Sequence, residues 1–241
     1  SASTDAADSL QFADYAQDTA ALTIDNSKWS YDADNNVYYQ IGISYAATAD
    51  DADYETMAVY VPGAYMNATA NGDGTYTCTV NASGTAGSYT AATAPVVFPV
   101  NTPGYAAQAA ATSYSYDGLS DYLSAGFIYV YAGLRGRITS MSGSTTTVSD
   151  TYDGGAPWGV TDLKAAIRCY RLNASELPGN AEEIYTFGMS GGGAQSALAG
   201  ATGDSALYYP YLEKIGAAMK DADGNAISDA VAGSMCWCPI T

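Results

Sequence analysis

Glycine, one residue of any kind, serine, one residue of any kind, glycine: the run Gly188-Met189-Ser190-Gly191-Gly192 has the spacing that presents a serine hydroxyl as a nucleophile. It follows an apolar stretch, Glu183 to Phe187, and precedes a helix pattern, Ala194 to Ala199. A strand that turns this sharply into a helix holds the residue at its apex in strained backbone, so the neighbours two positions away must be small. The helix N-terminus then aims its free amides at the same point. Ser190 is the expected nucleophile. The Gly191 N–H is one expected donor to the oxyanion formed when Ser190 attacks a carbonyl, and the helix dipole helps to hold that charge. The ordinary alternative is a Gly-rich turn capping a helix, with Ser190 a plain polar residue.

A serine nucleophile needs a base, and these 241 residues contain no histidine. Any imidazole base must come from elsewhere. The 25 acidic against 8 basic side chains, a formal net charge of −17, argue against nucleic-acid or anionic-membrane partners, which require clustered Lys and Arg. Charged residues make up only 14%, so the polar surface must draw on Ser, Thr, Asn, Gly and the 22 tyrosines, a balance that suits an extracellular protein. The longest apolar runs, such as Phe127 to Ala132, are far below the ~18 residues of a membrane span. No basic segment precedes an apolar one at Ser1, so the chain is expected to be soluble and mature.

Cys78, Cys169, Cys236 and Cys238 allow disulfides in an oxidising compartment, but their spacing does not suit zinc. Cys236 and Cys238, two apart on a strand, would share a face and are not expected to bond each other. Asp32, Asp34 and Asn35, like Asp221, Asp223, Asn225 and Asp229, look like pieces of calcium loops, yet neither set has the full twelve-residue ligand pattern. Acidic turns are expected there, with no metal and no cofactor.

Other elements must position the serine. Residues 1 to 60 carry ten Asp and one Glu against the single Lys28, which suggests a solvated acidic arm over 1–36. Val37, Tyr39, Ile41, Ile43 and Tyr45 alternate as a strand, and Met57 to Val61 is its expected neighbour. Residues 67 to 92 suggest an irregular hairpin turning at Asn71 to Gly74. From Pro95 onward, apolar runs alternate with helical patterns, the sign of a parallel sheet covered on both faces. Its expected strands are Val96 to Val100, Phe127 to Ala132 and Glu183 to Phe187. A helix opening at Thr161 would bury Leu163, Ala166, Ile167 and Tyr170 and place Arg168 and Arg171 near its C-terminus. A second helix is expected from Pro210 to Met219, and a last apolar strand from Ala230 to Ile240. Arg135 follows Phe127 to Ala132 at the carboxyl edge of the sheet, where it could orient a substrate or serve as a structural ion pair.

The residues Ala156-Pro157, Asp162 to Ala166, Gly188 to Gly193, Leu198 to Gly203, Tyr208 to Gly216 and Cys238-Pro239-Ile240-Thr241 together resemble bacterial tannases and related feruloyl-esterase-type α/β-hydrolases. The likeness runs from about Pro95 to Thr241. In the fungal branch a Cys precedes the nucleophile, whereas Met189 stands here. The resemblance implies a secreted serine hydrolase of small phenolic acid esters, with 37–241 forming the N-terminal portion of an α/β-hydrolase domain. By analogy with that fold, the loop Asn101-Thr102-Pro103-Gly104-Tyr105 supplies the second oxyanion donor. Pro103 has no N–H, so the candidates are Thr102, Gly104 or Tyr105.

In this fold the acid and histidine follow the serine. An incomplete α/β-hydrolase is therefore expected, with the triad acid and His on a second polypeptide or a further part. Two other readings stay open: a serine peptidase of the same fold, and a surface or assembly protein derived from a hydrolase that has lost catalysis.

Overall fold

Alternating apolar side chains build a mixed seven-stranded sheet at the centre of the computed structural model. The structure describes Phe12 and residues 14–102, 106–136, 138–142, 145–148, 157–189 and 197–237. The strands are β1 (Ser30–Asp32), β2 (Val37–Ser44), β3 (Thr56–Pro62), β4 (Val96–Val100), β5 (Ile128–Ala132), β6 (Ile184–Met189) and β7 (Gly233–Trp237), in the spatial order β1-β2-β3-β5-β4-β6-β7. Pairing is antiparallel from β1 through β5 and parallel from β5 through β7. The expected strands and the hairpin of Met66–Ala70 with Tyr76–Val80 are present, the last of the strands only over Gly233–Trp237 of the expected Ala230 to Ile240, whose residues 238–240 lie outside the described residues.

Period-two alternation divides the sheet's side chains between two clusters. Met57, Val59, Val96, Phe98, Ile128 and Val130 join the main core with Leu163, Ile167 and Tyr170 of helix α1 (Trp158–Leu172). Ala58 and Tyr60 face the other way, toward Leu119 and Leu123, with Tyr129 and Tyr131 packed alongside. A mixed sheet with parallel strands and a long helix against one face fits part of an α/β-hydrolase-like fold. Among the described residues no helix is long and apolar enough to cross a membrane.

Several local expectations change. Strand β2 does not alternate without a break: its register shifts between Gln40 and Ile43, and Gly42 takes a φ of 78° there. This bulge leaves Tyr39 and Ile41 on the second cluster but swings Ile43 into the main core. The described part of the acidic segment 1–36 is tied into the fold. Trp29 and Phe12 are buried in the core, β1 pairs with β2, and the Tyr15 hydroxyl donates to Ala217 O at 2.8 Å. Its aromatic residues override its charge.

Helix α1 starts at Trp158, before the expected Thr161, and has no exposed polar face from Gly159 to Tyr170. Asp162, Lys164 and Arg168 are buried because segments on both sides of the helix in sequence pair with them, Arg135 before it and Asp229 after it. The second helix, α2, is shorter than expected, Tyr209–Lys214 after a turn of 3₁₀ helix at Ala206–Tyr208. Gly216, at φ 71°, ends it, and Ala217 N donates back to Leu212 O at 2.9 Å.

Candidate active site

The carboxyl ends of β4, β6 and β7 lie side by side. In register, Gly188 of β6 stands between Val100 of β4 and Cys236 of β7, and Met189 stands beside Trp237. Strand β6 therefore reaches Met189 at this edge, beside the place where β4 gives way to Asn101 and Thr102. Backbone at 197–201 is helical again. Ser190 and Gly191 themselves lie outside the described residues, as do Gly104 and Tyr105 of the proposed donor loop. Thr102 is described and fully buried.

Arg135 forms a buried structural ion pair. It has no exposure, and its Nε and Nη2 grip the two Asp162 oxygens at 3.0 and 2.9 Å while its backbone N–H donates to Asp162 Oδ2 at 2.9 Å. Nη1 reaches Asp50 at 2.7 Å, and the guanidinium carbon lies 4.4 Å from the centre of the Trp158 ring. The cause is Asp162, a buried carboxylate on α1 that requires a cation. The clamp ties the end of β5 to the first turns of α1.

A second carboxyl shares this cation. Glu55 is fully buried, its Oε1 3.3 Å from Arg135 Nε and accepting from Asp51 N at 2.9 Å. Its Oε2 meets no donor among the described residues, and its carboxyl lies against that of Asp162, a setting that favours the neutral acid. Burial, and then the nearby Asp162 charge, push the Glu55 carboxyl up to about 8 against the pull of Arg135. Burial lifts the Asp162 carboxyl as well, and the Arg135 fork offsets only part of that rise. The two-pronged Arg135 contact keeps the charge on Asp162 and leaves the proton on Glu55.

An acid raised in this way stabilises the fold fully below its ordinary value of 4.5 and loses that contribution as pH rises through about 8. Glu55→Gln removes the titration. Its melting temperature is expected to gain on the wild type from about pH 5 to about pH 9. Parallel melting curves across that range would show that Glu55 is not the proton-bearing group.

A second buried network fixes the segment after the serine. Asp229 accepts from Lys164 Nζ at 2.9 Å, Arg168 Nε at 2.8 Å and Asp204 N at 2.9 Å. Lys164 also donates to Thr202 O at 2.6 Å. These bonds hold 202–204 and 227–229 against α1, so Arg168 serves as a buried ion pair in addition to lying near a helix C-terminus. The two cations bring Asp229 below its ordinary value despite its burial. Asp32 and Asp221 use their carboxylates on turn N–H groups, Asp34 and Asn35 in one case and Asp223 and Asn225 in the other. Among the described residues no group of three metal-ligating side chains occurs.

Solved structures resemble this chain over most of its length. The tannin acyl hydrolase of Lactobacillus plantarum matches 92% of it at 29% identity with a TM-score of 0.69, and the tannase of Fusobacterium nucleatum matches 91% at 32% identity with a TM-score of 0.68. The chain is tannase-like in sequence and fold. A tannin acyl hydrolase in complex with ethyl gallate matches 90% of it at 30% identity, TM-score 0.65. The tannase-like chain spans less than half the length of these proteins, covering 45%, 42% and 44% of them respectively. No protein-family model matches the sequence, and no curated protein sequence matches it.

The sequence located the strand end before Ser190 and the loop after β4. It missed the acids that engage Arg135. Asp162 lies 27 positions along the chain from Arg135, and no local pattern in the sequence signals the pair.

Proposed function

We propose that this chain carries the nucleophile-bearing part of a secreted serine hydrolase of phenolic acid esters. The observation that carries the reading is the likeness to tannases across about nine-tenths of the chain, combined with a parallel strand that ends directly before Ser190. In this reading Ser190 attacks the ester carbonyl and its proton passes to a base. The oxyanion accepts from Gly191 N–H and from Thr102 or Gly104 in the loop after β4. Collapse of the tetrahedral adduct expels the alcohol and leaves an acyl-Ser190 ester, which water then cleaves.

The base is a histidine oriented by an acid, both borne by a further part or a second polypeptide, because these 241 residues contain no histidine. A surface poor in Lys and Arg and rich in Tyr, Ser and Thr supports secretion. The same lack of histidine is what favours the rival reading, a hydrolase-derived protein without catalysis.

The complete protein is expected to cleave methyl gallate or methyl ferulate at least about tenfold faster, in kcat/KM, than chromogenic peptides, and to be labelled at Ser190 by a fluorophosphonate. Preference for peptides would overturn the substrate class. Absence of labelling and turnover together would favour the non-catalytic reading.

A further inference from the structure

We propose that Gln108 is a positioning residue that sets the second oxyanion donor by bridging the separated carboxyl ends of β4 and β5. The inference rests on the role proposed above for the loop 101–105. The β4–β5 ladder is described only at Val96 with Ile128 and Val97 with Tyr129. Two residues on, β4 carries Pro99, which has no N–H to give.

Gln108, 3% exposed, fills the place where the ladder stops. Its Oε1 accepts from Asn101 N at 2.7 Å, and its Nε2 donates to Ala132 O at 2.7 Å and to Pro99 O at 3.4 Å. A side-chain amide offers one acceptor group and one donor group, as a peptide does. Gln108 thus stands in for the missing rung between the two strand ends.

The glutamine is itself held. Its backbone N–H donates to Leu134 O and the Leu134 N–H returns to Gln108 O, both at 2.8 Å. The next residue is Arg135, clamped to Asp162 on α1. A continuous set of hydrogen bonds and covalent links therefore runs from α1 through Asp162, Arg135, Leu134 and Gln108 to the N–H of Asn101, immediately before Thr102. The amide of Gln108 is fully engaged with backbone and buried, so it acts by aiming the loop and does not touch substrate.

An oxyanion donor displaced by about 1 Å loses about 10²-fold in rate. In the complete protein, Gln108→Ala is expected to lower kcat on methyl gallate by about 10²-fold with KM held within about threefold. A benzeneboronic acid, whose tetrahedral adduct on Ser190 mimics the transition state, should bind more weakly by a similar factor. Gln108→Met keeps the volume and drops the bonds, and should give the same split if the alanine variant does not fold.

A folded Gln108→Met with unchanged kcat and boronate affinity, or with a loss confined to KM or to melting temperature, would overturn the inference. Failure of both variants to fold would overturn it also, since Gln108 would then serve folding alone. Ser190→Ala separates the layers. If that variant is inactive while Gln108→Met is fully active, only the role of Gln108 fails; if Ser190→Ala stays active, the reading of the site fails with it.

Discussion

Ser190→Ala is expected to reduce ester hydrolysis by the complete protein by roughly 10⁴- to 10⁶-fold, the loss seen when a triad nucleophile is removed. Stability should change by no more than about 0.5 kcal/mol, because one oxygen is lost and no packing group with it. Substrate binding should be largely preserved, since the oxyanion donors and the rest of the site are untouched. The combination matters: a rate loss with normal melting and retained binding of a product acid assigns chemistry to Ser190. Retained turnover would reject the nucleophile outright. A rate loss accompanied by unfolding would return Ser190 to the status of a turn residue capping a helix.

The second large effect falls on the fold. Arg135→Ala is expected to cost about 3–5 kcal/mol, the range for removing one partner of a buried ion pair, or roughly 6–20 °C in melting temperature for a chain of this size. The loss has two sources. Asp162 is left buried without its cation, and the face of Trp158 that the guanidinium covers at 4.4 Å loses its contact. Asp162 can relieve its buried charge by taking up a proton, so the destabilisation should grow from mildly acidic to alkaline pH. Arg135→Lys keeps the charge but loses the fork to Asp162, and should fall between the two. Thermal melts at several pH values check the expectation. If Arg135→Lys melts like the wild type but raises KM severalfold, Arg135 contacts substrate after all.

Six of the seven strands were legible because each carries its own apolar alternation or apolar run, and such a pattern is local; β1 (Ser30–Asp32), polar and at the sheet edge, was not. Val96 to Val100 and Phe127 to Ala132 could be read without knowing their neighbours. Where a second element decides the outcome, the local pattern failed. Ile43 continues the alternation of β2 in sequence, but the bulge at Gly42 turns it to the other face. Asp162, Lys164 and Arg168 look like the wet side of an amphipathic helix, yet they are buried because partners 27, 65 and 61 residues away in sequence meet them.

The candidate site divides in the same way. Gly188 to Gly192 is a contiguous motif, whereas Gln108 matters only through Pro99, Asn101 and Ala132, and no spacing rule links those positions. Pro99 was the one available hint, since a proline in a buried strand implies that some other group replaces its hydrogen bond.

Arg135, Lys164 and Arg168 are interior, three of the eight basic residues in a chain of net charge −17. Few cations then remain to offset the acids facing water, and the protein projects a negative potential over about a Debye length, ~8–10 Å at moderate ionic strength. For the proposed hydrolase this makes the two ends of the reaction unequal: a neutral phenolic ester approaches without repulsion, while the carboxylate released from it is driven outward by the field that its precursor did not feel.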